Sequence, residues 1–261
     1  MLLELFVSIA NADLITKPKS YGTFHLSFTI VGFALCLVFA YLLRKIGNKA
    51  SDRLIFGCGA FLAVTEVYKQ LFYYFCMGGD VGYEWWIFPF QLCSVPMYFC
   101  LIVPFIKNER IKSAMYTFMG TYNLLGGFIA FFEPSGLLHN HLTLTLHAFV
   151  WHMLLVFIGF YLIASGRSGY KMRNFLDSAL IFVGLCVIAF IINLSLRGVS
   201  GGSVNMFYVG PTISPLIVFK SIATVCGWYV NTPLYMIALT IGAFIFFIPH
   251  YYVRKHLNKK L

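Results

Sequence analysis

Seven long apolar runs separated by short loops constrain this chain more than any other feature. They lie at about 24–43, 54–75, 86–106, 113–132, 142–164, 175–196 and 232–253. Each is close to the roughly 20 residues a helix needs to cross the hydrocarbon core of a bilayer. Inside that core the backbone must satisfy its own N–H and C=O groups, so runs of this length are expected to be helices. The loops between them alternate in charge. Arg44, Lys45, Lys49 and Arg53 follow the first run, Lys107, Arg110 and Lys112 the third, and Arg167, Lys171 and Arg173 the fifth. Arg254, Lys255, Lys259 and Lys260 follow the seventh, whereas the loops at 76–85 and 133–141 carry no Lys or Arg. Basic residues stay on the cytoplasmic side. The expectation is therefore an all-α, multi-pass protein of the cell membrane, a seven-helix bundle with its N-terminus outside and its C-terminus in the cytoplasm. Residues 1–261 form one integral membrane domain.

Composition excludes the main alternatives. Apolar residues make up 60% of the chain and charged residues 11%, against about 45–50% and 25% in soluble domains. The net charge of +10 does not point to nucleic acid, because the basic residues sit mainly in the short loops that set orientation. Seven cysteines without a CxxC spacing give no secreted disulfide framework and no zinc site, and most read as small buried hydrophobes. Nothing in the sequence calls for a cofactor or a metal. Glu133, His139 and His141 are the nearest approach to a ligand set, and their spacing matches no recognised site. At the N-terminus, Ala10-Asn11-Ala12 looks like a leader cleavage site, but there is no basic n-region and Glu4 interrupts the apolar stretch. A short helix on the outer surface is expected there. The Gly- and Ser-rich stretch from Arg197 holds Pro211 and Pro215. The apolar segment at 212–227 is too short to span and is expected to be a re-entrant or interfacial helix on the outer side, covering the mouth of the bundle.

Against this apolar background, Glu66, Lys69, Gln91, Cys93, Asn123, His152 and Asn193 stand out as polar residues within spans. An ionisable group in hydrocarbon costs about 2.5–3.5 kcal/mol on insertion scales, so such residues face the bundle interior. Glu66, Lys69, Gln70 and Tyr73 share one helix face. They form either an internal ion pair that fixes packing or the charged wall of a substrate cavity. Asn123, with Gly120 and Gly127, and Asn193 suit interhelical hydrogen bonding. Pro89 suits a helix start, and Pro96 is expected to kink the third span beside Cys93. His152 is the deepest of the span-five histidines, with His147 pointing elsewhere, roughly 140° around the helix. It is either a satisfied core histidine or a base. By helical rise Cys93 and His152 each lie roughly 10–15 Å below the outer boundary. Glu66, Asn123 and Asn193 reach similar levels, which points to one polar cavity in the outer half of the membrane.

The segment Phe88-Pro89-Phe90-Gln91-Leu92-Cys93-Ser94 resembles the proline-to-cysteine signature of the YwaF-type integral membrane family. Glu66, the Asn123/Gly126/Gly127 region, Trp151-His152, Asn205 and Asn231-Thr232-Pro233 also fall where that family places its motifs. The family is grouped with transmembrane protein 164, a Cys/His acyltransferase acting on ether lysophospholipids. In the animal branch the cysteine directly follows the proline and a histidine comes next. Here Phe90 and Gln91 hold those places and Cys93 comes later. The resemblance implies a phospholipid acyltransferase or hydrolase with Cys93 as nucleophile and His152 as base. The acyl donor or acceptor is then a membrane phospholipid or lysophospholipid. Glu66, Lys69, Gln91, Asn123 and Asn193 are the residues expected to line the substrate site, with Lys69 placed to attract a phosphate and the amides to donate to an oxyanion. The non-catalytic alternative is a transporter or a lipid-binding seven-helix protein. The absence of an internal repeat weighs against a secondary transporter.

Overall fold

A computed structural model describes residues 1–77 and 83–257. Lys259 and Lys260, and part of the loop expected at 76–85, lie outside them. The described residues are helical, with no named strand. Ten α-helices run in the order α1 (Leu2–Ala12), α2 (Thr23–Leu43), α3 (Asn48–Phe72), α4 (Val95–Ile102), α5 (Glu109–Phe118), α6 (Leu124–Phe132), α7 (Leu142–Ala164), α8 (Met172–Ser195), α9 (Ile217–Cys226) and α10 (Trp228–Leu257). Among the described residues five segments are long and apolar enough to cross a membrane. They are Thr23–Leu43, Asn48–Met77, Leu142–Ala164, Met172–Ser195 and Trp228–Lys255. These coincide with five of the seven apolar runs.

The other two runs fold differently, for reasons written in their residues. The third holds Pro89, Pro96 and Pro104, and only α4 within it is α-helical. The 3₁₀ turns Leu92–Ser94 and Val103–Phe105 flank α4. Pro96 stands in the first turn of α4, where its missing N–H costs no hydrogen bond, so it starts a helix rather than kinking one. Pro89 stands in the irregular stretch before Leu92 and starts no helix. The fourth run is helical from Glu109 to Phe132, but a π-helical turn at Met119–Asn123 separates α5 from α6. Asn108 starts it by accepting from Arg110 N and Ile111 N at 3.0 and 3.2 Å, a standard N-cap.

The basic segments gather at one end of the bundle. Tyr161 donates to Ser51 at 2.6 Å and Arg167 to Asn48 at 3.1 Å. Arg110 pairs with Asp177 at 2.7 Å, Lys112 with Asp52 at 3.6 Å, and His250 Nε2 bonds the Ser168 carbonyl at 3.0 Å. The starts of α3 and α5, the α7–α8 connection and the end of α10 are thus neighbours. At the opposite end α1 packs Phe6 on Tyr68 and Phe75. The Asp13 carboxylate behind it accepts from Thr143 N at 2.8 Å and Thr143 Oγ1 at 2.6 Å. A carboxylate on the first N–H groups of α7 meets the positive end of that helix dipole. The core between the two ends is aromatic. Tyr122 stacks on Phe118 and Phe182, and Phe118, Tyr122 and Phe182 are all fully buried.

Candidate functional site

Cys93 stands at the centre of the 3₁₀ turn Leu92–Ser94, which follows a non-helical stretch. Phe88 precedes a proline and is extended, and Gln91 is extended too, at φ −87° and ψ 163°. The chain enters an α-helix only at Val95. Side chains from other elements take up the polar groups that this segment leaves open. Tyr98 Oη donates to the Pro89 carbonyl at 2.7 Å. Trp151 Nε1 donates to the Cys93 carbonyl at 3.0 Å. Gln91 pairs with a distant backbone strand-fashion: its Nε2 donates to the Asn205 carbonyl at 2.9 Å and its Oε1 accepts from Phe207 N at 2.9 Å.

The partner of Gln91 is a strained turn. Phe207 and Tyr208 both have left-handed backbone, at φ 53° and 54°, an arrangement that costs on the order of 1–3 kcal/mol per residue and persists only when over-determined. Asn193 supplies much of that determination. Its Oδ1 accepts from Met206 N at 2.6 Å, and its Nδ2 donates to the carbonyls of Met206 at 2.9 Å and Val209 at 2.5 Å. The amide of Asn193 is therefore committed to the turn and keeps no donor for a substrate, whereas Gln91 keeps one amide hydrogen. Phe90 packs on Phe207 with ring centroids 5.7 Å apart. Tyr208 and Tyr235 stand within electrostatic reach of the Cys93 thiol.

α3 supplies the charged wall. Glu66 is almost fully buried and pairs with Lys69 at 2.8 Å through Oε1. The same oxygen accepts from Gln70 Nε2 at 2.7 Å. Gln70 also donates to the Ile87 carbonyl and accepts from Tyr83 Oη at 2.8 Å, which ties α3 to the segment leading into Cys93. Glu66 Oε2 is buried with no hydrogen-bond partner among the described residues. The Glu66–Lys69 pair lies near Cys93, and Lys69 lies near His147 and His152 as well.

α7 supplies the imidazoles. His152 Nδ1 lies 2.8 Å from the carbonyl of Ala148, one turn back. A carbonyl only accepts, so Nδ1 carries the proton and Nε2 keeps its lone pair. Among the described residues no hydrogen bond joins Cys93 to His152. The two are brought to one region through Trp151, the chain neighbour of His152. Gly127 lets α6 approach this turn closely: a Cβ there would lie 3.3 Å from the His152 carbonyl. Asn123 closes the π turn and donates to the Leu155 carbonyl at 3.3 Å, further along α7. It packs α6 on α7, and its Oδ1 is buried with no partner among the described residues.

Three side chains enter this arrangement in roles that the sequence does not assign. Trp151 reads only as part of the Trp151-His152 stretch of the family resemblance, and the fold gives its N–H a partner. His147 packs on Trp151 with tilted rings, centroids 5.4 Å apart, and lies near Lys69, although a helical wheel turns it well away from His152. A lysine stem is long enough to serve both faces. Tyr208 belongs to a turn with no signature in sequence. Glu133 is not brought to the histidines it was weighed with, since His141 faces Asp13 at 3.9 Å. Among the described residues no group of three His, Cys, Asp or Glu side chains is placed to hold a metal.

The TMEM164 family model matches residues 20–252. No curated protein and no solved structure matches the chain.

Proposed function

The chain belongs to the TMEM164 family, and from that premise we propose that it is a lipid-modifying acyltransferase or acyl hydrolase of the cell membrane, with Cys93 as nucleophile and His152 as base. The observation that carries this reading is the anchoring of the Cys93 turn on α7. Trp151 holds the Cys93 carbonyl while the next residue, His152, has its Nδ1 proton fixed on Ala148 and Nε2 left as acceptor. A nucleophile, a base with its tautomer set, and a group orienting the base are the parts of an activated-nucleophile site.

In this reading His152 Nε2 takes the thiol proton as the Cys93 sulfur attacks the ester carbonyl of a phospholipid. The ester C–O bond breaks and His152 returns the proton to the departing lysolipid oxygen, leaving a thioester on Cys93. The hydroxyl of a lysophospholipid, or water, then gives its proton to His152 and attacks the thioester, and the thiol is restored. Lys69, held by Glu66, attracts the phosphate. The free amide hydrogen of Gln91 is the donor available to the oxyanion, a role measured at about 3–4 kcal/mol elsewhere. Asn123 and Asn193 act indirectly, by holding the walls.

The same reading takes the protein through the membrane seven times. The broken segment at 86–106 and the π-interrupted helix at 113–132 supply the passes that complete the five long helices. The basic end then faces the cytoplasm, the N-terminus lies outside, and α9 caps the outer mouth of one domain as a re-entrant helix. The test is an acyl-transfer and hydrolysis assay on purified full-length protein, with a diacyl phospholipid donor and a lysophospholipid acceptor. Cys93→Ser and His152→Ala each abolish turnover in this reading, and the double variant is no worse, because members of one catalytic unit are non-additive. Cys100→Ser, fully buried one turn-pair further along, leaves turnover intact. Full activity in folded Cys93→Ser overturns the assignment.

A further inference from the structure

α2 and α3 follow one another in the chain, yet each leans on a different partner. Residues 44–47 join them, but α2 packs along α7 and α3 along α4. Gly32 brings α2 against Met153 of α7, and Gly59 brings α3 against Cys100 of α4. The two helices therefore diverge and enclose a wedge of about 810 Å³. Leu35 and Phe39 of α2, Leu54 and Phe61 of α3, and Leu154 and Phe157 of α7 form its walls. Arg53 is the one charged residue among those that line it. Gly57 opens onto free space, since a Cβ added there would meet no atom within 4 Å.

Charge at this end is unbalanced. Asp52 is taken by Lys112 and Tyr116, and Asp177 by Arg110. Arg53 is exposed and makes no ion pair or hydrogen bond among the described residues, and Arg44, Lys45 and Lys49 stand at the same end. An apolar slot ending in an unpaired guanidinium, at the basic end of the bundle, has the chemistry of one amphiphile. A guanidinium prefers a phosphate, and each basic residue near an anionic lipid surface contributes about 1 kcal/mol.

We propose that this wedge seats one anionic phospholipid, with an acyl chain lying between α2 and α3 and its phosphate on Arg53. The seat is distinct from the Cys93 site. Neither Cys93 nor His152 lines it, and Phe61, the lining residue of α3 nearest that site, stands about 8 Å along the helix from Glu66. The lipid holds the splayed helix pair together from the leaflet at the basic end and does not depend on the acyl-transfer reading.

Native mass spectrometry of the full-length protein in detergent, titrated with phosphatidylglycerol or with phosphatidylcholine of the same chains, tests the proposal. The expected result is one phosphatidylglycerol retained per protein, with phosphatidylcholine retained at least fivefold less. Arg53→Gln weakens phosphatidylglycerol retention about fivefold, the worth of one basic residue. Gly57→Phe, which fills the wedge from a position with open space, abolishes retention. The Arg53→Gln arm stands alone if Gly57→Phe does not fold, because that side chain is exposed and unbonded. Equal retention of the two lipids, unchanged retention in Arg53→Gln, or a lipid-free dimer closed over this face each overturns it.

Discussion

The indole of Trp151 donates to the carbonyl of Cys93 at 3.0 Å, joining the middle of α7 to the 3₁₀ turn that leads into α4. This bond ties the Cys93 turn to the chain neighbour of His152. Trp151→Phe keeps the ring and removes the donor, leaving a carbonyl unpaired at a cost of about 1–3 kcal/mol. The melting temperature is expected to fall by a few degrees, and labelling of Cys93 by a lipid-soluble maleimide to change in rate. A Trp151→Phe protein that matches the wild type in both would show that the anchor is dispensable.

Glu66 and Lys69 form a nearly buried ion pair with a shared oxygen acceptor. Removing one partner of such a pair leaves an uncompensated charge and costs about 3–5 kcal/mol. Glu66→Ala is expected to lower thermal stability or membrane yield more than Glu66→Ala/Lys69→Ala does. Equal losses in single and double variants would mean the side chains are uncoupled.

Asn193 makes three hydrogen bonds to the turn that carries Phe207 and Tyr208. Asn193→Ala releases all three and leaves a left-handed turn unsupported. Asn193→Asp keeps the acceptor for Met206 N and loses both donors. Limited proteolysis between Gly198 and Ser214 is expected to be fastest in Asn193→Ala, intermediate in Asn193→Asp and slowest in the wild type. Identical cleavage in all three contradicts a supporting role.

Topology is open to a direct check. The gathering of Asn48, Asp52, Arg110, Arg167 and His250 at one end is expected to place the C-terminus in the cytoplasm. A C-terminal alkaline phosphatase fusion should be inactive and a fluorescent protein fusion bright. The reverse pair of results would invert the bundle.

Much of this arrangement was legible in the residues. Five apolar runs became five long helices because length and hydropathy alone decide those spans. The Glu66–Lys69–Gln70 stripe followed from helical spacing and is bonded as such. The third run was not legible as a broken segment, because hydropathy registers its Leu, Phe and Val while the prolines act on the backbone. Gln91 and Asn193 read as polar residues in search of a task. Their partners are backbone atoms of a turn, more than 100 residues away for Gln91, which side-chain periodicity does not encode. Asn123 was legible with Gly127 as a close helix contact, and a Cβ at Gly127 would indeed press on Val156 at 3.0 Å.

Capture of the acyl-enzyme tests the central claim most directly. Purified full-length protein is incubated with a diacyl phospholipid and no acceptor, quenched in acid and analysed by intact-mass and peptide mass spectrometry. The account predicts one acyl group on the peptide containing Cys93, released by neutral hydroxylamine as a thioester is. It also predicts no adduct in His152→Ala, whose thiol lacks a base. Folded wild-type protein that turns over lipid with no acyl group on Cys93, or an adduct that persists in Cys93→Ser, contradicts it.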